Sequence, residues 1–143
     1  MNLFNSTASG LINHFLGVGT FAKPSGIAFG LTTVPPTNST IVEVSNANGY
    51  ARQNYGQNTG AFTATNALWS FPLEGSGIAY NNNQINFPVS TGSQGMVSGA
   101  FISDSSAYGG GSTLFYCTLA AAKDIEVNDQ FYIPVSGAQV RFY

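Results

Sequence analysis

Arg52 lies between Tyr50 and Tyr55 in the stretch "ANGYARQNYG" and is one of only four Lys and Arg residues in 143. A guanidinium can act as a catalytic cation, bind a ligand, or hold carbonyl and carboxylate oxygens while it stacks on an aromatic ring. Asn48-Gly49 predicts a turn, followed by an extended segment in which Tyr50 and Arg52 share a face. We predict that Tyr50 and Arg52 form a structural pin, with Arg52 bound to carbonyls or a carboxylate of a neighbouring loop or an adjacent subunit.

His14 and Cys117 are the side chains that could serve as a base or a nucleophile. A Ser-His-Asp arrangement needs a nucleophile and a carboxylate beside the imidazole, and the sequence has no nucleophile-elbow pattern. His14 lies in a segment of helical periodicity and is expected on its polar side. Cys117 lies inside the apolar run "LFYCTL", whereas a reactive thiol needs an electropositive, partly exposed setting. We predict that neither residue is catalytic and that the protein is not an enzyme.

The acidic residues have no spacing typical of a catalytic pair. The last three, Asp124, Glu126 and Asp129, could offer oxygen ligands to a hard cation, but the segment lacks a dense Asp/Asn/Gly loop and Lys123 lies beside it. We expect a turn between two strands, closed by Asp129, and no metal or cofactor. The six acids in the chain are Glu43, Glu74, Asp104, Asp124, Glu126 and Asp129.

The aromatic residues, Trp69 with seven Tyr and eleven Phe, could build a hydrophobic core or a carbohydrate-binding platform. Aromatic side chains of a β-rich chain mostly fill its core. A platform would instead need exposed rings, with Trp69 as the foremost candidate. Core packing is the favoured interpretation, and sugar binding is the alternative.

The surface is expected to be polar but almost uncharged. Charged residues make up 7% of the chain, against roughly 25% in an average soluble protein. Neutral polar side chains lose their water more cheaply than ions do, which favours a component of an assembly. The sequence has no basic run for nucleic acid, no apolar stretch of about 20 residues for a membrane helix, and no basic start typical of a signal peptide. The single cysteine, Cys117, cannot form an internal disulfide.

One short helix is predicted near the N-terminus. Apolar residues recur there at three- and four-residue steps from Ala8 to Leu16, which indicates an amphipathic helix packed through its apolar stripe. Asn5 or Ser6 can serve as the N-cap, and Gly17 is well placed beyond the end.

Short strands separated by turns are predicted for the rest of the chain. In "GIAFGLTTV" we expect Ile27, Phe29 and Leu31 on one face, "NNNQ" should form a hairpin turn into "INFPV", and "AYGGGS" at 107–112 a flexible loop tip. The absence of alternating strands and helices argues against a parallel fold. The other runs are "IVEV", "YARQNY", "TNALWSF", "SGIAYN", "GMVSGAFISD", "STLFYCTLA", "QFYIPV" and "AQVRFY".

The predicted fold class is therefore mainly β, an antiparallel β-sandwich or jelly-roll-like barrel with one short N-terminal α-helix. The length suits a single domain with its own core. We expect one domain over residues 1–143, with the arm and helix in 1–17 and the sandwich in 26–143.

Several segments, taken in order, resemble a family of small bacteriophage virion proteins described as capsid decoration (cement) or tail-fibre-like proteins. "LINHFLG" is similar to the family's amphipathic helix, "KPSGIAFGLTTVPPT" to its first strand and Pro-containing loop, and "GYARQ" to its Gly-Tyr-x-Arg element. "INFPVSTGSQGMVSGAFISD" resembles its FP-x-(A/S)-T-G-x-W-G-x-V stretch, with Gln94 in place of the family's Trp. "LFYCTLAAAKDIEVNDQFYIPVSGAQVRF" looks like its closing strands, with Asn128 where Gly is common.

The resemblance implies a virion structural protein without catalytic residues. The favoured expectation is a capsid decoration protein, assembled in the bacterial cytoplasm, that binds the major capsid protein on the outer capsid surface as a homotrimer and stabilises the shell. The alternative is a tail-fibre or tail-tip module that contacts host surface glycan. Leu3 and Phe4 are apolar residues ahead of the helix cap, and they are expected to be exposed unless another chain covers them. The expected contact residues, in this arm and in the Pro-rich loop, are Met1, Asn2, Leu3, Phe4, Pro35 and Pro36.

Overall fold

The secondary structure is described for residues 1–57, 68–70 and 77–141 of the computed structural model. Within these residues the chain is mainly β with one helix and antiparallel sheets, as predicted, which is consistent with a β-sandwich. In chain order the elements are β1 (Asn2–Leu3), α1 (Asn5–Phe15), β2 (Gly26–Thr32), β3 (Gln53–Gln57), β4 (Trp69–Ser70), β5 (Ile78–Asn81), β6 (Ile85–Asn86), β7 (Gly95–Ser103), β8 (Thr113–Ile125), β9 (Tyr132–Ile133) and β10 (Gln139–Arg141).

The largest sheet has the strand order β1-β8-β7-β2-β3, and every neighbouring pair in it is antiparallel. Strand β2 lies inside this sheet, where Phe29 and Leu31 are fully buried while Ile27 is only half-buried. The small residues of the opposite face are buried as well. A Cβ on Gly30 would lie 2.3 Å from Cζ of Phe101, so the Phe101 ring covers that face directly. Both faces of β2 are therefore covered.

Two smaller sheets complete the described part, with the orders β10-β5-β4 and β6-β9. The predicted hairpin across "NNNQ" is wrong, because β5 and β6 belong to different sheets and do not pair. The buried Asn81 side chain explains the change of direction. Its Nδ2 donates to the carbonyls of Asn83 (2.9 Å) and Pro134 (2.8 Å), and its Oδ1 accepts from the N–H of Ala138 (2.7 Å). The bonds to Pro134 and Ala138 hold β5 to the segment before β10.

Several of the predicted strands are shorter than their sequence runs, as at β6 (Ile85–Asn86) in "INFPV" and β9 (Tyr132–Ile133) in "QFYIPV". "IVEV" forms a single antiparallel bridge, between Thr32 and Glu43. In "TNALWSF" only Leu68 to Ser70 are described, and the rest of that run lies outside the described residues, as do the first residue of "SGIAYN" and the last two of "AQVRFY". The assignment of residues 1–143 to one domain stays a prediction.

Aromatic rings and aliphatic side chains from all three sheets form the core. Phe29 stacks on Trp69 at 6.1 Å between ring centroids and meets Tyr55 edge-on at 5.5 Å. The rings of Tyr50 and Phe87 stack at 6.4 Å. The buried core residues are Phe29, Leu31, Val44, Tyr50, Tyr55, Ile85, Phe87, Val97, Ala100, Ile102, Leu114, Ile125, Ile133, Ala138 and Val140.

Helix α1 starts where the sequence predicts but is capped differently. Phe4 occupies the N-cap in an extended conformation, and no side chain caps the helix. Asn5 is already helical, and its N–H donates to the carbonyl of Asn38 (2.8 Å), so the cap expected from Asn5 or Ser6 is wrong. Gly17 follows the helix at φ +73°, in the left-handed region that glycine adopts easily.

Candidate functional site

The residues around Arg52 form the most densely bonded cluster of charged and polar side chains in the part of the chain that the structure describes. The cluster stands just before β3, since Tyr50 and Arg52 precede the first strand residue, Gln53, rather than lying within the strand as predicted. The turn that leads to it has Asn48 at φ 53° and Gly49 at φ 82°. Both residues favour this left-handed backbone, so local sequence fixes the direction in which the chain enters the site.

Glu43 reaches the same place along the edge of β2 that also pairs with β3. The N–H of Val44 donates to the carbonyl of Leu31 at 3.0 Å, next to the bridge between Thr32 and Glu43. This backbone pairing directs the Glu43 carboxylate toward Arg52. The sequence pattern did not identify Glu43 as the partner, although a lone acid inside the apolar run "IVEV" was a signal for a buried, paired charge.

Arg52 and Glu43 form a two-pronged ion pair. Arg52 Nε donates to Oε1 of Glu43 and Nη2 donates to Oε2, both at 2.7 Å. The two side chains are only 5% and 9% exposed. Burial by itself lowers the pKa of the Arg52 guanidinium, but the hydrogen bonds and charge of Glu43 outweigh burial and the pKa is raised overall. The pair is therefore charged and shielded from water.

The remaining donors of Arg52 hold the loop between β7 and β8. Its Nη1 donates to the carbonyls of Ser105 (2.9 Å) and Gly110 (2.7 Å) and to the hydroxyl of Ser103 (3.3 Å). The guanidinium carbon also lies 5.0 Å from the centre of the Phe101 ring, within the range of a cation–π contact. The run "AYGGGS" is thus tied to the body of the protein rather than forming the free tip that its glycines suggested.

Tyr50 is the third member of the cluster. Its hydroxyl donates to Oε1 of Glu43 (2.9 Å) and accepts from the N–H of Leu31 (3.0 Å). Burial raises the pKa of the Tyr50 hydroxyl well above its ordinary value of 10.0, so it stays protonated. Gly109 N–H adds a further bond to Oε2 of Glu43 (3.3 Å). The Glu43 carboxylate therefore has two donors on each oxygen and no free position for accepting a proton from a substrate.

The geometry at Arg52 is that of a structural clamp: it joins three segments that are far apart in sequence through a buried cation. The groups that Arg52 holds are one carboxylate, two carbonyls and one hydroxyl, all of this same chain. The contribution of Tyr50 and Arg52 to stability, or to contacts with another subunit, stays a prediction.

The other residues considered for chemistry lie apart from this cluster. His14 is exposed near the end of α1, where its Nδ1 accepts from the N–H of Phe21 (3.3 Å). Cys117 is half-buried in β8, and burial raises the pKa of its thiol, which disfavours the reactive thiolate. Among the described residues, no three His, Cys, Asp or Glu side chains are grouped as metal ligands. No described helix is long and apolar enough to cross a membrane.

The acidic segment 124–129 forms the predicted turn. Asp129 Oδ2 accepts from the N–H of Glu126 (3.0 Å), and the Asp129 N–H donates to the Glu126 carbonyl (3.1 Å). Asn128 has φ 67°, so it adopts the left-handed conformation for which glycine or asparagine is favoured. This explains why Asn can stand at the position where the resembled family has Gly.

The predicted contact arm is paired with the chain's own sheet. Asn2 and Leu3 form β1 and pair with Tyr116 and Phe115 of β8, and Phe4 meets the Tyr116 ring edge-on at 6.3 Å. Leu3 and Phe4 are half-buried, so the expectation that both would be exposed in this chain is wrong. Met1 packs against the core.

In the Pro-rich loop the two prolines have different surroundings. Pro35 is exposed, whereas Pro36 is buried and its ring lies against β7, where a Cβ on Gly99 would come within 2.3 Å of Pro36 Cδ. Whether the arm or this loop contacts another chain stays a prediction.

Trp69 packs against the core rather than standing on the surface. It is half-buried, stacks on Phe29, and meets Tyr55 edge-on at 5.5 Å between centroids. Phe29 covers one face of the Trp69 ring and Tyr55 contacts the ring as well, so Trp69 is not the exposed ring that a sugar platform needs.

A cleft of about 380 Å³ lies between the start of α1, the segment 21–25 and the β7–β8 loop. Its lining combines hydroxyl groups with one ammonium group, one carboxylate and one phenyl ring. The Asp104 carboxylate accepts from the N–H of Ser112 (2.6 Å), which fixes one wall of the cleft. The lining residues are Ser6, Thr7, Phe21, Ala22, Lys23, Pro24, Ser25, Asp104, Ser112 and Leu114.

Comparison with known proteins yields one family. The family model described as podophage GP4 fiber I protein gp80 matches residues 2–141. No curated protein matches the chain.

Proposed function

The chain belongs to the podophage GP4 fiber I protein gp80 family, and on this basis we propose that it is a subunit of a virion fibre. Membership of the family makes it a phage virion structural protein. The match over residues 2–141 carries the proposal, because it takes in the helix, the clamp around Arg52 and every described strand.

The physical properties of the chain suit a subunit of an elongated assembly. With 7% charged residues, its surface can be covered by neighbouring subunits without the large cost of desolvating ions. The clamp at Arg52 holds the β7–β8 loop in a defined position by means of buried, charge-assisted bonds. A well-defined loop position is useful in a part that is repeated many times in one particle.

The capsid surface, which the sequence analysis favoured, is the second location in the virion to be tested. The description of the matched family names a fibre, which supports the fibre position at least as well as the capsid surface. Attachment to the major capsid protein and a homotrimeric state are carried forward as proposals. Neither position requires catalysis.

A role in host contact is favoured by the cleft beside α1. Hydroxyl, carboxylate and ammonium groups next to a phenyl ring can offer a sugar both hydrogen bonds and an apolar face. We place the proposed glycan contact in this cleft, because the Trp69 side chain packs against Phe29 and Tyr55. Ser25→Trp, which fills the cleft, should abolish glycan binding, whereas Thr118→Trp on the exposed part of β8 should not.

Location in the particle tests the proposed function directly. Virions labelled with an antibody against this chain, or carrying an epitope-tagged copy, should show label on fibres in electron micrographs. Particles without the protein should keep an intact shell with wild-type resistance to heat and low salt. Label spread evenly over the shell, together with heat-sensitive empty capsids, would contradict the fibre position and support capsid decoration.

A further inference from the structure

The end of helix α1 carries a group of large apolar side chains that the rest of the described chain does not cover. The group consists of Ile12, Phe15, Leu16 and Val18, which are 57, 79, 72 and 77% exposed. We call it the helix-end patch. The sequence predicts that this apolar stripe packs inward, and the structure shows that only the first half of the helix does so.

The reason lies in how α1 is attached. Its first half is held against β8 by the buried Thr7, whose Oγ1 donates to the carbonyl of Thr113 (3.0 Å). The second half extends beyond this contact. Its end is nevertheless closed by regular backbone bonds, since the N–H groups of Leu16 and Val18 donate to the carbonyls of Ile12 (3.0 Å) and Asn13 (2.9 Å). The patch is therefore held in a defined shape.

The patch is large for a protein of this size. If a side chain of this kind has a full surface of roughly 150–200 Å², the four together expose on the order of 500 Å². The largest apolar patch on a typical monomer is roughly 300–600 Å² and often serves an interaction. Two such patches in contact would bury about 1,000 Å² in total, which is the lower limit for a specific interface.

The absence of charge indicates what covers the patch. Residues 1–22 contain no Asp, Glu, Lys or Arg, and His14 is their only ionisable side chain. Contact between identical surfaces brings the same residues together, so a charge within it would meet its own copy and repel it. A different protein would ordinarily be selected through complementary charges, and this segment offers none.

We propose that the helix-end patch is covered by the same patch of a second copy of this chain, in a symmetric homo-oligomer. The spacing supports helix-to-helix packing: Ile12, Phe15 and Leu16 stand at positions i, i+3 and i+4, so they share one exposed face of the last turn of α1. Because the buried area is close to the lower limit, the association depends on protein concentration. The inference does not depend on whether the chain stands on a fibre or on the shell.

The test is the mass of the purified full chain in solution, measured by sedimentation equilibrium over a wide range of concentration. Wild-type protein should associate reversibly. The double variant Phe15→Ser/Leu16→Ser should raise the dissociation constant by at least about tenfold. Since both side chains are exposed, this variant should keep the wild-type circular dichroism and, at concentrations where wild type is monomeric, the wild-type melting temperature.

A matched pair of single variants separates this patch from general surface hydrophobicity. Val18→Ser should weaken association, whereas Val127→Ser, a change at another exposed valine, should leave it unchanged. Wild-type protein that stays monomeric at every concentration would overturn the proposal, and binding of that monomer to another virion protein through Phe15 would identify a different occupant. Double-variant protein that associates as tightly as wild type would also overturn it. The position of the chain in the virion is decided separately by labelling.

Discussion

Removing the Arg52 side chain should lower the free energy of unfolding of the protein. Arg52→Ala deletes two bonds of 2.7 Å to the Glu43 carboxylate and the bonds to the carbonyls of Ser105 and Gly110. The carboxylate would remain in a site where its side chain is 9% exposed, with only Tyr50 and the Gly109 N–H as donors. A buried charge that loses its counter-ion costs far more than the pair itself contributes.

The expected magnitude follows from this burial. Breaking a buried ion pair by removing one partner costs about 3–5 kcal/mol, and native domains have roughly 5–15 kcal/mol in total. With an ordinary denaturant dependence, the urea midpoint should fall by roughly 2 M. Arg52→Lys should recover only part of this loss, because a lysine ammonium cannot bond both carboxylate oxygens and the loop carbonyls in one plane.

The assay is urea unfolding followed by circular dichroism, and two further variants serve as controls. Arg141→Ala removes an exposed arginine and should cost less than about 1 kcal/mol. Glu43→Ala/Arg52→Ala should cost less than the sum of the single variants, by about 0.5–3 kcal/mol, since the two residues share one interaction. An Arg52→Ala protein as stable as wild type, or strictly additive losses, would refute the clamp. Wild-type stability with loss of a small-molecule ligand would make Arg52 a binding residue instead.

Two further predictions concern burial. Burial raises the pKa of Tyr50 and Cys117 above their ordinary values of 10.0 and 9.0, so the folded state keeps protons that the unfolded state releases. The free energy of unfolding should therefore be greatest below pH 9 and fall with rising pH by up to about 1.4 kcal/mol per pH unit for each group. In urea titrations at several pH values, Tyr50→Phe should show a shallower fall than wild type. A free energy of unfolding that does not change with pH would contradict this. In β2, Gly30→Ala should cost at least about 1–3 kcal/mol by thermal melting, because its Cβ would lie 2.3 Å from the Phe101 ring. Gly26→Ala, whose nearest neighbour is 3.6 Å away, should be tolerated, and equal losses for both would rule out this steric reason.

The chemistry of the Arg52 site was predictable in kind but not in its partners. A guanidinium next to Tyr50 in a charge-poor chain indicates a structural cation, because a buried Arg needs acceptors wherever it lies. Its carboxylate is nine residues away in sequence, and its two carbonyls are 53 and 58 residues away. Such separations leave no periodic signal along the chain.

The pairing of the strands could not be predicted from local sequence either. "NNNQ" has the composition of a hairpin turn, and turns depend on local residues, so the chain does turn there. Whether the flanking strands pair is decided by competing edges, and two hydrogen bonds of the Asn81 side chain hold β5 toward Pro134 and Ala138 instead.

The sequence by itself determined the β class, the position of the helix, the turns at Asn48-Gly49 and Asp129, and the near absence of charge, because each follows from residues close together in the chain. Only the tertiary structure decided that Glu43 holds Arg52, that Trp69 belongs to the core, and that the end of the apolar stripe at Phe15 faces outward. The physical reason is that periodicity sets which residues share a face, while the long-range packing of the other segments sets what that face meets.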